Sequence, residues 1–209
     1  MSARESFSSI WCNMKVPEVE VMVLNIMSPT YTLPHFLEDM QKIKKLSFIM
    51  CKIGIGFEKL STDNPNVWPR LVEIDFDSCQ DLVGFPELIC NSVHLEKLSI
   101  TNCNEFIEIP EEIVKLTSLE TLGLRSCTKL EKLPDSISRL KKLSILDISD
   151  CLRLVKLPIV IVSKLLSTRK SRSQAANRVR VLASGFDCSC ANLTSDFTYV
   201  LALLIDRKD

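Results

Sequence analysis

Glycine is scarce in this chain, with five residues in 209. No G-x-x-x-x-G-K-[ST] loop occurs, so the backbone cradle that such loops form around phosphates is not expected. Histidine is scarcer still: His35 and His94 are the only two. A dyad with Cys51 or Cys90 is one reading of them. His94 directly precedes a repeat leucine, however, and is expected on the surface. Charge bias is missing as well, since 26 Lys and Arg face 26 Asp and Glu. That excludes a global field of the kind that gathers nucleic acid or anionic membrane. The longest late apolar run, residues 197–205, falls far short of the ~20 residues that span a bilayer. Residues 1–13 are serine-rich without an apolar h-region, and Met1-Ser2 lacks the glycine that myristoylation needs. Nine cysteines, an odd number, without a secretion signal favour a reducing, cytosolic setting.

What is present is a period. Four segments share one frame: Leu71-x-x-Ile74-x-Phe76-x-x-Cys79-x-x-Leu82-x-x-Phe85-Pro86, then Leu95, Leu98, Ile100, Cys103, Phe106, Ile109 and Pro110. Leu119, Leu122, Leu124, Cys127, Leu130, Leu133 and Pro134 follow, and then Leu143, Leu146, Ile148, Cys151, Leu154, Leu157 and Pro158. Matching positions lie 24 residues apart with no insertion. The period and the pattern are those of leucine-rich repeats. The fold class expected is therefore α/β, a leucine-rich-repeat solenoid with parallel strands on its concave face and short helices or 3₁₀ turns on its convex face. Apolar residues two apart, such as Ile74 and Phe76, make short strands with one buried side. The Leu-Pro step bends the chain, because proline fixes its own φ and keeps its predecessor extended. Acids after it, as in Pro110-Glu111-Glu112 and Pro134-Asp135, suit the first turn of a short helix.

The array starts less regularly. Ile43-x-x-Leu46-x-Phe48-x-x-Cys51 opens a coil with an insertion, since Cys51 and Cys79 are 28 residues apart. Val21-x-x-Leu24-x-Ile26, followed by Leu33-Pro34, reads as a shortened first repeat. The frame fails after Ile161, where the leucine positions fall on Lys164, Ser167 and Lys170. The organisation expected is a lead-in over 1–18, a repeat domain over 19–161 with its regular part at 71–158, and a non-repeat tail, partly disordered, over 162–209. Residues 159–209 carry eight basic and four acidic groups. The stretch 169–180, with Arg169, Lys170, Arg172, Arg178 and Arg180, reads as a solvated linker, with a nuclear-localisation or phosphate patch as the alternative.

The candidate sites divide into chemistry and surface. Cys51, Cys79, Cys103, Cys127 and Cys151 form a ladder. Strands ~4.8 Å apart would permit a disulfide by distance alone. The stronger reading is a set of small buried residues whose thiols donate weakly to loop carbonyls. No tetrahedral C-x-x-C spacing points to a metal. Cys188-Ser189-Cys190 lacks histidine partners, Cys90 is expected to pack on the convex side, and the sequon at Asn192 is meaningless in the cytosol. No catalytic, cofactor-binding or metal residue is assigned, and no enzyme activity is expected. The surface candidate is the concave face, where strand alternation places Glu73, Asp75, Asp77, Lys97, Ser99, Thr101, Thr121, Gly123, Arg125, Ile145, Asp147 and Ser149. It is acidic at one end with single cations further on. Solenoids bind partners along such faces, and the plain alternative is a solvated strand face.

Residues 19–34, with 45–51, 98–103 and 146–151, resemble the first and later repeats of plant nucleotide-binding leucine-rich-repeat disease resistance proteins, above all the helper class with an RPW-type coiled-coil N-terminal domain. The likeness spans about residues 13–160. It implies an intracellular, cytoplasmic module of plant defence, with the nucleus as a second compartment. Its implied partners are the receptor's nucleotide-binding domain and other immune proteins, with no nucleic acid, no membrane span and no cofactor in this chain. Two other readings compete. Extracellular recognition ectodomains use 24-residue repeats too, but carry Asn at the Cys position, a Gly before Ile-Pro and paired cap cysteines. A substrate adaptor of a ubiquitin ligase shares the cysteine-bearing repeat, but no adaptor-binding helical domain is seen before the repeats.

Overall fold

A computed structural model describes residues 18–25, 37, 40–53, 57, 67–155, 157–158, 161 and 180–182. The period-two pattern does what it should. Ile74 and Phe76 are fully buried while Glu73, Asp75 and Asp77 between them are partly open, so the five residues form a strand with one face in the core. Seven strands follow in chain order: β1 (Val21–Asn25), β2 (Lys45–Ile49), β3 (Glu73–Asp77), β4 (Lys97–Thr101), β5 (Thr121–Gly123), β6 (Ile145–Asp147) and β7 (Arg180–Leu182). They make one sheet whose spatial order equals the sequence order, and every neighbouring pair is parallel. Parallel neighbours need a crossover between them, and each coil supplies one.

The crossovers of the first three regular coils each contain a 3₁₀ turn: Glu87–Asn91, Glu111–Lys115 and Asp135–Arg139. Pro86, Pro110 and Pro134 stand immediately before these turns in extended conformation, rather than as their first residue. Their carbonyls accept from Ile89, Ile113 and Ile137, at 3.0, 3.2 and 3.2 Å. Ile113 and Leu116 are buried and lead back to Leu119, as their spacing requires.

In-register pairing stacks like upon like. Leu46, Ile74, Leu98, Leu122 and Leu146 form one buried row, and Phe48, Phe76 and Ile100 belong to the next. The coil with the insertion fills its extra width with aromatics. Phe48 stacks on Phe76 with ring centroids 5.4 Å apart, Phe57 meets both edge-on, and Trp68 donates its Nε1–H to the Leu37 carbonyl at 2.8 Å. A buried indole requires such an acceptor.

Two expectations shift. The first repeat was framed with Leu24 opposite Leu46, but Met22 pairs with Leu46 and Leu24 with Phe48. A slip of two residues keeps the same side chains inward, so alternation cannot detect it. The sheet also continues past residue 161, because Arg180–Leu182 pairs with β6 outside the 24-residue frame. Arg180 is thus a strand residue and not a linker residue.

The recurring turn after strands β2 to β6 carries a feature with no glycine to mark it. Met50, Ser78, Asn102, Ser126 and Asp150 all have positive φ, between 54° and 61°. Each directly precedes a ladder cysteine. L residues other than Gly, Asn and Asp adopt this conformation at a cost of roughly 1–2 kcal/mol. Here the turn must direct the next residue inward.

Candidate interaction face

The cysteine ladder is scaffold. Each thiol is buried and points at a carbonyl of the preceding coil. Cys51 Sγ donates to Leu24 O at 3.2 Å, Cys79 to Phe48 O at 3.5 Å, Cys103 to Phe76 O at 3.8 Å, Cys127 to Ile100 O at 3.3 Å and Cys151 to Leu124 O at 2.7 Å. Burial pushes the Cys151 thiol up to about 12 and the Cys127 thiol higher. Hydrogen bonding with Cys103, then burial, raises Cys79. Thiols held protonated and shielded are poor nucleophiles and poor metal ligands. Cys90 is buried within the Glu87–Asn91 turn, where burial raises it to about 12. Among the described residues no cluster of His, Cys, Asp and Glu is arranged to hold a metal. His94 is exposed. His35, Cys188, Cys190, Asn192 and the cations from Arg169 to Arg178 lie outside the described residues.

The opposite face of the sheet carries the surface candidates in two registered rows. Val21, Lys45, Glu73, Lys97, Thr121 and Ile145 form the first, and Val23, Ser47, Asp75, Ser99, Gly123 and Asp147 the second. Glu73 lies between two lysines: Lys45 Nζ is 3.1 Å away, and Lys97 bonds it directly from the other side. The same lysines approach Asp75, at 3.7 and 3.8 Å, and Ser47 Oγ donates to Asp75 at 3.1 Å. Partial burial works against the Glu73 charge, yet the Lys97 and Lys45 hydrogen bonds hold its carboxyl below the ordinary range. The Glu73 bond, in turn, raises Lys97. Glu73 and Asp75 are therefore matched from within the face. Lys45 and Ser47 were not among the residues expected here. The alternation through Leu46 and Phe48 carried that information, but the irregular coil hid it.

Asp77 is held differently, by Ser78 Oγ at 3.0 Å, Thr101 Oγ1 at 3.3 Å and Asn102 Nδ2 at 2.8 Å. All three donors are neutral. Further along, the face changes. Strands β5 and β6 are only three residues long, so Arg125 and Ser149 lie beyond them. Arg125 stays open, with Asp150 Oδ2 at 3.9 Å. Ser149 departs from expectation. It is 9% exposed, because its amide donates to Asp147 Oδ1 at 3.0 Å and the chain turns inward. It belongs to the turn and is not available as a surface contact. Glu73, Asp75, Asp77, Lys97, Ser99, Thr101, Thr121 and Asp147 stand on the strand face where alternation places them.

Comparison with known proteins adds an independent line. Residues 71–177 match the family model described as a leucine-rich repeat region. The match begins on the first leucine of the regular array. The chain is 31% identical to the probable disease resistance protein At4g33300 of Arabidopsis thaliana, over 42% of this chain and 17% of that protein. It is 36% identical to the probable disease resistance protein At5g66890 of the same plant, over 48% of this chain and 24% of that protein. It thus spans about a fifth of the length of these relatives. Among solved structures, the leucine-rich repeat domain of the type III effector XopL superposes with a TM-score of 0.38 at 16% identity, over 87% of this chain and 81% of that one. No helix among the described residues is long and apolar enough to cross a membrane.

Proposed function

The chain belongs to the leucine-rich repeat family, and from that premise we propose that it is a non-catalytic, protein-binding and regulatory module of plant defence. In this reading it is the repeat part of an intracellular nucleotide-binding leucine-rich-repeat receptor of the helper class, acting in the cytoplasm with the nucleus as a second compartment. The nucleotide switch of such a receptor resides in another domain, and the repeats restrain that domain or receive immune partners. The observation that carries the reading is the pairing of two facts. A continuous, registered strand face presents polar groups over five coils, and the relatives are named disease resistance proteins. A row of buried cysteines supports a scaffold role rather than chemistry.

The test is binding. The purified chain is titrated calorimetrically with the nucleotide-binding domain of a receptor from the same plant. The expected outcome is saturable 1:1 binding that Thr121→Trp, at the centre of the face, weakens at least tenfold. Absence of binding to that domain, together with no defence protein retained in pull-down, overturns the reading.

A further inference from the structure

The surface cations follow a rule, and one group breaks it. Lys44, Lys97, Lys129 and Lys132 each pair with an acid 24 residues earlier, one coil back in the same row: Glu20, Glu73, Glu105 and Glu108. Lys115, Arg139, Lys141 and Lys142 have no such acid, because the residues 24 before them are Asn91, Lys115, Thr117 and Ser118. None of the four makes an ion pair among the described residues. The crossover that follows them supplies none either, since the sequence from residue 151 to β7 contains no Asp or Glu. All four are exposed, on the side of the 3₁₀ turns and away from the strand face. Lys115 and Arg139 end the turns Glu111–Lys115 and Asp135–Arg139, which pack on each other, and Lys141 and Lys142 come just after the second. Complementing the carbonyl end of a turn accounts for the first two cations and not for the last two. The band they form is narrow. On one side the same turns open with exposed Glu111, Glu112 and Asp135. The Glu111 carboxylate is occupied, accepting from the Asp135 and Ser136 amides at 3.3 and 3.0 Å. Hydrogen bonding from Ser136, far ahead of the Arg139 charge, holds it below the ordinary range. On the other side stand exposed Glu96 and Glu120, just before β4 and β5.

We propose that this band is a second docking surface, for an extended acidic segment of a protein partner. Carboxylates of the segment pair with Lys115, Arg139, Lys141 and Lys142 along two adjacent coils. Charge and width fix the occupant. Cations without a partner in their own row attract an anion, and the carboxylates bordering them on both sides repel a broad anionic surface such as a bilayer leaflet or a nucleic-acid duplex. A single acidic strand fits between those borders. The surface is separate from the strand face, and neither needs the other.

The probe is fluorescein-labelled hexaglutamate, titrated with the 209-residue chain by fluorescence anisotropy at about 50 mM NaCl, where exposed charges are little screened. Saturable 1:1 binding is expected. Lys141→Glu with Lys142→Glu weakens it about tenfold or more, because each reversal removes an attraction and sets like charges together. Lys132→Glu with Arg153→Glu makes the same change of net charge where the cations are already paired, and changes binding by less than about twofold. Thr121→Trp leaves it unaltered, and circular dichroism checks that every variant folds. Absence of saturable binding overturns the proposal, as does an equal loss from the two double variants, which would reduce the effect to net charge. Phosphatidylserine vesicles or a DNA duplex that bind through Lys141 and Lys142 where hexaglutamate does not overturn it in favour of a phosphate surface. Binding that Thr121→Trp abolishes and the Lys141 and Lys142 reversal spares places the peptide on the strand face, which overturns this proposal and leaves that reading intact.

Discussion

Replacing Cys127 by alanine is expected to destabilise the fold by about 1.5–2 kcal/mol. The side chain is fully buried, with complete coils on either side. Removing a buried atom of methylene size costs about 0.8 kcal/mol. The backbone cannot close over the void while both neighbouring strands hold their register, which adds about 0.5 kcal/mol for a volume near 20 Å³. The thiol donates to Ile100 O at 3.3 Å, and losing a weak donor of this kind costs about 0.5 kcal/mol more. Urea denaturation followed by circular dichroism measures it. With a slope near 2 kcal/mol/M the midpoint falls by about 0.8–1 M. Cys127→Val fills the space without a donor and should lose about half as much, which separates packing from hydrogen bonding. A second readout is alkylation. A Cys151 thiol titrating near 12 rather than 9.0 is about a thousandfold less ionised at pH 8, so iodoacetamide should modify it only after urea unfolds the chain. An unchanged midpoint for Cys127→Ala, combined with rapid native labelling of Cys151, would refute the assignment of the ladder as a buried clamp.

Other outcomes follow from the same geometry. Ser126 has a φ of 57°, so Ser126→Gly should raise stability by about 0.5–1 kcal/mol in urea titration; a loss of stability there would contradict the left-handed turn. Trp68→Phe keeps the ring packing but strands the Leu37 carbonyl that Nε1 serves, and should cost about 1–3 kcal/mol. The Glu73 carboxyl is lowered in the fold, so its contribution is present above its unfolded value, near 4.3, and fades as pH falls through the folded value. Glu73→Gln should therefore flatten the acid limb of the stability curve below about pH 4.5, by no more than about 1 kcal/mol for so exposed a pair. A limb as steep as the parent's would mean that the lysine bridges are idle.

The regular coils were legible because every buried position recurs at fixed spacing, and an alternating strand has only one way to hide Ile74 and Phe76. Less regular places depended on information that alternation lacks. The first coil can slide by two residues without exposing anything, so its frame alone does not fix Phe48 as the partner of Leu24. Lys45 and Ser47 were overlooked because the insertion before Cys79 broke the ruler, although their own strand obeyed it. Met50, Ser78 and Ser126 adopt positive φ with no glycine to announce it, since the neighbouring cysteine and strand impose the turn. Strand β7 pairs through its backbone, and backbone pairing leaves little trace in a segment outside the frame. As for the surface, the sequence supplied charges but not their pairing. Glu73 and Asp75 are quiet because two lysines answer them.

Strand order equal to chain order has a consequence for how the molecule tolerates change. Each coil of the regular array touches only the one before and the one after, so a disturbance has nowhere to travel except along the row. Substitutions two or more coils apart, such as at Cys51 and Cys127, should act independently. The stacked rows supply the rigidity, and the residues between them are free to vary. One coil can thus be changed without renegotiating the others. That independence is itself a form of adaptability.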